Sequence, residues 1–425
     1  MNTHYLLVGM IAVGATIAAG LVALNLRVGE KKIEQTIPRL YSTDDAQFGR
    51  AMGVLLGPPI LEGNRFEGLL NGDEIFPAML SAIRGAQSSV NFESYIYWSG
   101  SIGREFAEAL AAQARSGVEV RVLLDWLGSS KLDPAQLAMM ANAGVAIRKF
   151  HQPAWYHLHR MNNRTHRKLL VVDGKVGFTG GVGIADAWAG HAQDADHWRD
   201  THFRAEGPVV AQMQAVFMDN WMKVTGEVLH GAQYFPALSK RGEGRAQMFS
   251  SSPEGGSESM RLMYMLAITA ASRSIHLSSA YFVPDDLTLK ALIAAAKRGV
   301  NVQIITPGEH MDAETVRRAS RARWGELLDA GVRIFEYQPT MFHCKVMVVD
   351  SVWVSVGSTN FDRRSFALND EANLNIFDAE FAARQLSIFE QDVARSKEIT
   401  LAQWQQRPWL EKLVEHAASL LGGQL

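Results

Sequence analysis

The sequence predicts an α/β protein built from two similar halves, each a mostly parallel or mixed sheet flanked by helices, joined about a pseudo-twofold axis. Three observations predict this fold. The chain has 425 residues, more than the ~250 to 300 at which single cores stop growing. Apolar strand patterns alternate with helical patterns of 10 to 15 residues, which is typical of βαβ units. The same order of elements also occurs twice along the chain.

The repeated unit is a strand, an Ala-rich helix that ends at a glycine, and a second strand. In the first copy these elements are Val90–Tyr97, Ile102–Arg115 and, after Gly117, Val118–Leu124. In the second copy they are Ile275–Val283, Leu287–Arg298 and, after Gly299, Val300–Ile305. Each half then has a further helix that ends in Ala-Gly-Val ahead of another strand, so the repeat extends beyond one βαβ unit.

The sequence predicts three segments. Residues 1–40 are expected to form an N-terminal membrane anchor and linker, residues 41–245 the first half, and residues 246–425 the second half with a C-terminal helix. The segment Leu401–Leu421 carries apolar residues at helical spacing, and it predicts an amphipathic helix packed against the body.

The N-terminal segment Tyr5–Leu26 contains 22 uncharged, largely apolar residues, about the ~20 that a helix needs to cross a bilayer. It predicts a single transmembrane helix. A cleaved signal peptide is the alternative, but no Lys or Arg precedes Tyr5. Because Arg27, Lys31 and Lys32 follow the segment directly, the positive-inside rule places the body on the cytoplasmic side.

The net charge of -2 gives no general positive field of the kind that gathers nucleic acid, and a nucleic-acid partner is not expected. The chain has one cysteine, Cys344. An intrachain disulfide and a Cys-based zinc site are therefore excluded.

The repeat ends in a paired motif. His166, Lys168 and Asp173 in the first half have the same spacing as His343, Lys345 and Asp350 in the second, and each set is followed by a small-residue pair, Gly180-Gly181 or Gly357-Ser358. Apolar runs on both sides of the Asp predict a β-hairpin, with Asp173-Gly174 as a two-residue turn. The period of two along a strand places His and Lys on one face.

We expect the residues of this pattern to be catalytic: His166, Lys168, Asp173, His343, Lys345 and Asp350. The pattern fits displacement at a phosphodiester. One imidazole can attack phosphorus to give a covalent intermediate, while the other protonates the leaving alcohol and then deprotonates the incoming one. The two Lys supply the positive charge that many phosphoryl-transfer enzymes take from Mg²⁺. No metal or other cofactor is expected, because Lys is not a usual metal ligand and no further ligands lie at zinc spacing.

These motifs resemble those of the phospholipase D superfamily, and the longer matches are most similar to bacterial cardiolipin synthases. The resemblance runs from about Leu69 to the C-terminus, and its most specific stretch is Asn360-Phe-Asp362-Arg-Arg364-Ser365 through Glu371. Other matching stretches are Leu69–Asp73, Asn163–Lys168, Trp198–Asp200, Glu206–Pro208 and Tyr281–Pro284.

The resemblance implies roles for individual residues. Asp200 and Glu371 are expected to orient the two imidazoles, in the way that Asp orients His in a serine protease. His166 is expected to be the nucleophile. The substrate-binding residues it implies are Gly180, Gly181, Ser358 and Asn360. One position departs from the family pattern, because Gly183 stands where Asn is common and where the second motif has Asn360.

The expected function is phosphatidyl transfer between phospholipids, giving cardiolipin from phosphatidylglycerol-type donors at a bacterial inner membrane. The partners are then phospholipids at the bilayer. A phospholipid hydrolase would carry the same His and Lys residues and differ only in using water as the acceptor. A membrane-anchored nuclease is disfavoured by the charge, and an inactive scaffold by the intact motifs.

Overall fold

The computed structural model describes residues 5, 8–10, 12–16, 33–150, 152, 163–252 and 258–420. Within them the strands are β1 Leu61–Leu70, β2 Ser89–Ser94, β3 Glu119–Asp125, β4 Ala146–Phe150, β5 Arg164–Thr165, β6 Leu169–Val172, β7 Val176–Gly180, β8 Thr201–Glu206, β9 Gly244–Ser251, β10 Ser274–Ser279, β11 Phe282–Val283, β12 Asn301–Pro307, β13 Arg333–Tyr337, β14 Lys345–Val349, β15 Trp353–Gly357, β16 Phe361–Asp362, β17 Asn369–Phe377 and β18 Ser396–Ile399.

The helices of the same residues flank this sheet. They are α1 Ala46–Leu55, α2 Asn71–Arg84, α3 Ser101–Arg115, α4 Pro134–Asn142, α5 Val209–Thr225, α6 Ser259–Ala270, α7 Asp286–Lys297, α8 Glu314–Ala322, α9 Trp324–Asp329, α10 Arg363–Ala367, α11 Ala379–Ala394, α12 Leu401–Gln405 and α13 Trp409–Ser419. The repeated strand–helix–strand units of the sequence are thus present, with ends within a few residues of those predicted.

Sixteen strands of the described residues form one mixed sheet, and β11 and β16 form a separate pair. The order β4-β3-β2-β6-β7-β8-β1 of the first half is repeated as β13-β12-β10-β14-β15-β17-β9 in the second. The prediction of a mixed sheet flanked by helices is confirmed. The emphasis on parallel strands was wrong. Within the large sheet, the described residues of each half form two parallel pairs, β2/β3 and β3/β4 in the first half and β10/β12 and β12/β13 in the second. The other pairs of this sheet within each half are antiparallel.

The two halves join through antiparallel pairing of β1 with β9, in which Asn64 lies opposite Gly244. The predicted boundary between residues 245 and 246 therefore falls inside β9. Behind the join, α5 and α11 pack on strands of both halves in one apolar core that includes Phe203, Met248 and Phe381. Burial of this shared core stabilises the halves in a fixed relative position.

The motif hairpins are closed by three-residue loops. In the first, Val172 pairs with Val176 across β6 and β7, and the N–H of Lys175 donates to the Val172 carbonyl at 2.9 Å. The predicted two-residue turn was therefore wrong by one residue. Asp173, with φ 54°, accepts hydrogen bonds from the backbone N–H groups just before and at the start of β2, those of Gln87, Ser88 and Ser89.

Asp350 makes the equivalent contacts in the second hairpin. Its carboxylate accepts hydrogen bonds from the backbone N–H groups of Ser272, Arg273 and Ser274 and from the Thr43 hydroxyl. In both motifs a whole strand separates this Asp from the motif His. The expectation that Asp173 and Asp350 are catalytic is corrected accordingly, because both carboxylates satisfy backbone donors at the far end of the hairpin.

The two terminal segments differ in how much of them is described. Residues 5, 8–10 and 12–16 of the predicted span Tyr5–Leu26 are helical, and the rest of that span lies outside the described residues. No helix in the described part of the chain combines the length and apolar character that a bilayer crossing requires. The single C-terminal helix predicted over Leu401–Leu421 is instead α12 and α13. Pro408 separates them, since it lacks an N–H and restricts the preceding residue.

Replacing Asp350 with Asn is expected to lower the free energy of unfolding by about 1 to 3 kcal/mol, because the amide accepts the backbone N–H groups less well than a carboxylate. Urea denaturation measures this. The control is Asp44→Asn, which removes an exposed ion pair with Arg273 and should cost less than about 1 kcal/mol. Equal and small losses of unfolding free energy in the two variants would contradict the role of Asp350 in holding the backbone N–H groups.

Candidate active site

Each motif histidine is held in place by a backbone segment from the other half. The N–H of His166 donates to the carbonyl of Asp370 at 2.9 Å, beside the parallel pairing of β5 with β17. The N–H of His343 donates to the carbonyl of Arg199 at 2.7 Å. Each histidine therefore lies next to the carboxylate that follows the opposite motif.

The side chains repeat this crossed arrangement. His166 Nδ1 lies 3.0 Å from Glu371 Oε1 and 3.1 Å from Oε2, and His343 Nδ1 lies 2.8 Å from Asp200 Oδ2. The structure thus brings both predicted carboxylates to the imidazoles. A hydrogen bond from Nδ1–H to a carboxylate fixes the neutral tautomer in which Nε2 carries the lone pair.

Burial makes both imidazoles weak bases. It lowers the pKa of His166 to about 4, against the opposing charge of Glu371. Burial, with the nearby charge of Lys345, lowers the pKa of His343 to about 3. Burial alone would raise the pKa values of Asp200 and Glu371, but their imidazole and lysine neighbours hold both below the usual range. At neutral pH the site therefore contains neutral imidazoles and ionised carboxylates.

The two lysines lie beside their own histidines. Lys168 Nζ donates to the His166 carbonyl at 2.8 Å, and Lys345 Nζ donates to the His343 carbonyl at 2.6 Å. Burial and the charge of Lys345 lower the pKa of Lys168 to about 7, and burial lowers the pKa of Lys345. Buried ammonium groups whose pKa values are lowered in this way are stabilised by a bound anion.

Both imidazoles line one cavity of about 390 Å³. Its wall combines cations, Lys168, Arg164 and Arg364, with aromatic rings. The ring of Tyr95 lies 5.1 Å from that of His166, and the ring of Trp198 lies 5.5 Å from that of His343. A pocket of this size with a few convergent polar groups on an aromatic wall suits an organic anion.

A family model described as "Cardiolipin synthase, PLD-like domain" matches residues 79–221 and 264–393. The chain belongs to this phospholipase D-like family of cardiolipin synthases. It is 36% identical over 356 residues to cardiolipin synthase 2 of Bacillus anthracis, covering 83% of this chain and 69% of the relative. It is 37% identical to a cardiolipin synthase of Geobacillus thermodenitrificans, covering 83% and 71%, and 37% identical to a probable cardiolipin synthase of Bacillus subtilis, covering 84% and 71%.

The fold is also that of a solved phosphatidylserine synthase of Haemophilus influenzae. The two structures superpose with a TM-score of 0.67, covering 90% of this chain and all of the other. Their sequences are 13% identical, so this likeness concerns the fold alone.

Three of the four residues that family resemblance assigned to substrate binding do not line the cavity. A Cβ at Gly181 would lie 2.2 Å from Asp200 Oδ1, and one at Gly180 would lie 2.6 Å from His202 Nδ1. The hydroxyl of Ser358 donates to the Glu371 carboxylate. Gly181 therefore makes room for the Asp200 carboxylate and Gly180 for His202, while Ser358 holds the Glu371 carboxylate. Asn360 does line the cavity.

Gly183 is the position in the first motif that corresponds to Asn360 in the second. A Cβ there would lie 2.8 Å from Ile96 Cβ and 3.0 Å from the Trp188 ring. The indole N–H of Trp188 donates to Asp200 Oδ2 at 2.9 Å, the oxygen that also contacts His343. The first half thus fills this space with an indole, which provides a donor to the carboxylate.

Several cavity residues were missed by sequence reasoning. Tyr95 follows β2, and Asp312 follows β12. Both come after the carboxyl end of a parallel strand, the edge at which open α/β sheets bind ligands, and that position was an available signal. Arg164, Trp198, Tyr281, Arg364 and Asn369 lie in stretches that resemble the family but had been given no role.

Anion binding at this site is expected to weaken as the pH rises through about 7, because Lys168 loses its proton and the charge that attracts the anion. Sulfate keeps a constant charge over this range, and calorimetry should show its affinity falling by up to about tenfold per pH unit. Lys168→Met should remove this dependence, and the exposed hairpin variant Lys175→Met should keep it. A constant affinity from pH 6 to 9 in the unaltered protein would contradict the assignment.

Proposed function

We propose that this chain is a phosphatidyltransferase that makes cardiolipin from phosphatidylglycerol-type donors through a covalent phosphohistidine. The observation that carries the proposal is the crossed pair of imidazole–carboxylate hydrogen bonds on one cavity. Both imidazoles keep an Nε2 lone pair, and the cavity also holds cations that can neutralise a phosphodiester. The names of the curated relatives support the lipid substrate.

In the first step, Nε2 of His166 attacks phosphorus, a nitrogen–phosphorus bond forms, and the bond to the leaving glycerol oxygen breaks. His343 gives that oxygen a proton. The negative charge of the bound phosphodiester opposes the effect of burial and Lys345 on His343, and it lets this imidazole carry the proton. In the second step, His343 removes a proton from the hydroxyl of a second lipid, which attacks phosphorus and releases His166.

The cations of the cavity neutralise the phosphoryl oxygens throughout. Lys168 and Lys345 lie beside the imidazoles, and Arg164 and Arg364 line the same wall. Burial and the charge of Arg164 lower the pKa of Arg364. Guanidinium groups this close to each other favour a bound phosphate, because the anion relieves their repulsion.

The nucleophile is His166 in this proposal. Lys345 Nζ lies 3.1 and 3.2 Å from the two ring nitrogens of His343, and the pKa of His343 is lowered further than that of His166. The ammonium of Lys345 therefore lies against the His343 ring and opposes the positive charge that this imidazole would gain by attacking phosphorus. His166 has its own lysine on its carbonyl instead, which leaves its Nε2 better placed to attack.

The acceptor separates a synthase from a hydrolase. The aromatic wall formed by Tyr95, Trp98, Trp198 and Tyr281 favours a lipid alcohol over water, since large apolar rings exclude solvent from the bond being formed. The predicted N-terminal span would keep this cavity at a bilayer, with the body on the cytoplasmic side. Its anchoring role stays a prediction.

The reaction is tested on phosphatidylglycerol vesicles without added metal. Cardiolipin and free glycerol are the expected products, separated by chromatography. His166→Ala and His343→Ala should abolish them, whereas His191→Ala, which changes an exposed imidazole, should leave turnover unchanged. Phosphatidic acid as the sole lipid product would make the protein a hydrolase, and no turnover at all would support an inactive scaffold.

The assignment of the two imidazoles is tested with a phosphodiester donor whose leaving group departs without protonation. His343→Ala should then accumulate phosphate-labelled protein, because the nucleophile is intact. The second step, transfer of the phosphoryl group from His166 to the acceptor, lacks its base in this variant. His166→Ala should not be labelled. Mass spectrometry of the intact chain detects the adduct, and labelling in the reverse pattern would exchange the two roles.

A further inference from the structure

The C-terminal helix α13 exposes its apolar side. Four large apolar residues lie in two pairs one turn apart: Trp409, Leu410, Leu413 and Val414 are 71%, 56%, 58% and 41% exposed. We refer to these four residues as the apolar face of α13. Such a row is unlike the scattered single apolar residues of ordinary protein surfaces.

The opposite, polar side of α13 holds the helix to the body. Glu411 and Glu415 pair with the Arg321 guanidinium of α8 at 3.2 and 3.0 Å, and Arg407 pairs with Glu415. Glu415 is buried. An amphipathic helix packed on a soluble core normally buries its apolar side and exposes its charges. The helix α13 packs on the body, as the sequence predicted, but its orientation is the reverse of the usual one, because its polar side faces α8.

The helix α13 packs against a helix that forms part of the active-site cavity wall. Val316 and Ala313, at the start of α8, line that cavity. Val316 also packs with Ala418 of α13, and Leu410 and Val414 of the apolar face lie beside α8. A partner bound along α13 therefore lies next to the cavity wall.

Cations accompany the apolar face. Lys412 is exposed on the same helix, and its ammonium donates to the Gln405 carbonyl; among the described residues it has no carboxylate partner in an ion pair. Arg318 of the neighbouring helix α8 is also exposed, and it pairs with Glu314 at 3.0 Å. Apolar residues with a tryptophan, flanked by Lys and Arg, are the composition of helices that lie in the interface of anionic bilayers.

We propose that the apolar face of α13 inserts into the interfacial region of an anionic phospholipid bilayer and turns the mouth of the cavity towards the lipid. The choice of a bilayer rests on the proposed function, because a cavity that takes phospholipid must receive it from a membrane. Insertion removes the exposed apolar area from water, while the ion pairs of Arg321 keep the helix docked. The cations add attraction to the anionic head groups.

The test uses a fluorophore that reports on polarity, attached to Leu413→Cys in the full-length protein. Val228→Cys is the matched control, since Val228 is 56% exposed and lies outside α13. The native Cys344 is 1% exposed and does not compete for the label. With phosphatidylglycerol vesicles, emission from position 413 should move to shorter wavelength and be quenched by brominated acyl chains, and emission from position 228 should not.

Three results would overturn the proposal. The first is no lipid-dependent change at position 413. The second is emission that is already at short wavelength without vesicles, which would mean that another part of the chain covers the face. The third is a change that depends on protein concentration alone, which would mean that a second copy covers it.

A turnover measurement separates this proposal from the proposed function. Leu413→Ser should lower turnover of vesicle phosphatidylglycerol by roughly tenfold, with unchanged turnover of a short-chain phosphatidylglycerol below its micelle concentration. Val228→Ser should change neither. Equal activity of Leu413→Ser and the unaltered protein on vesicles would contradict insertion of the apolar face into the bilayer. If the unaltered protein turns over neither substrate, the proposed function is wrong, and the fluorophore result still shows whether the apolar face inserts.

Discussion

Two hydrogen bonds that cross between the halves, His166 to Glu371 and His343 to Asp200, are the constraint on which the rest of the structure depends. Neither half holds both an imidazole and the carboxylate that orients it. The halves must therefore keep a relative position accurate to a fraction of an ångström, because a hydrogen bond weakens steeply outside its short range. The β1–β9 pairing and the core shared by α5 and α11 provide that rigidity.

Buried arginines next to the site residues support this geometry. Arg199, which precedes Asp200, makes two parallel hydrogen bonds to Asp392 of α11 at 2.9 and 2.8 Å, and its carbonyl accepts the His343 N–H. Arg167, which follows His166, donates to the Val216 carbonyl of α5 at 2.9 Å. A planar guanidinium with several partners fixes the backbone beside it. Each imidazole is thus tied, through its neighbour, to the helix that packs behind the sheet join.

The sequence was informative where chemistry requires particular residue types at fixed spacing. The duplicated His and Lys, and the carboxylates Asp200 and Glu371, all reach the site. Spacing along one chain does not say which carboxylate meets which imidazole, since that depends on how the halves face each other. It also does not separate an Asp that acts in catalysis from one that binds backbone N–H groups, and Asp173 and Asp350 were grouped with the catalytic residues for that reason. The apolar pattern of α13 predicted a helix correctly. It did not predict which side of the helix faces the body, because Arg321, which pairs with Glu411 and Glu415, belongs to α8.

The two sides of the site differ in ways that favour unequal roles for the imidazoles. The ring of His343 lies among those of Trp188, Trp198 and Tyr281, whereas that of His166 has Tyr95. Asp200 accepts an indole N–H from Trp188, while Glu371 accepts the Ser358 hydroxyl and the Asn369 amide.

An aromatic enclosure disfavours a charged imidazole but keeps water away from it once a lipid anion is bound. A group that must take a proton from the incoming lipid alcohol benefits from such exclusion, because a water molecule next to this base would be activated to attack phosphorus, and that attack would give hydrolysis. The more polar surroundings of His166 suit a group that forms and breaks a bond to phosphorus. In the proposed assignment of the two imidazoles, Gly183 belongs to this difference between the halves, since the indole of Trp188 that occupies its space completes the aromatic side of His343.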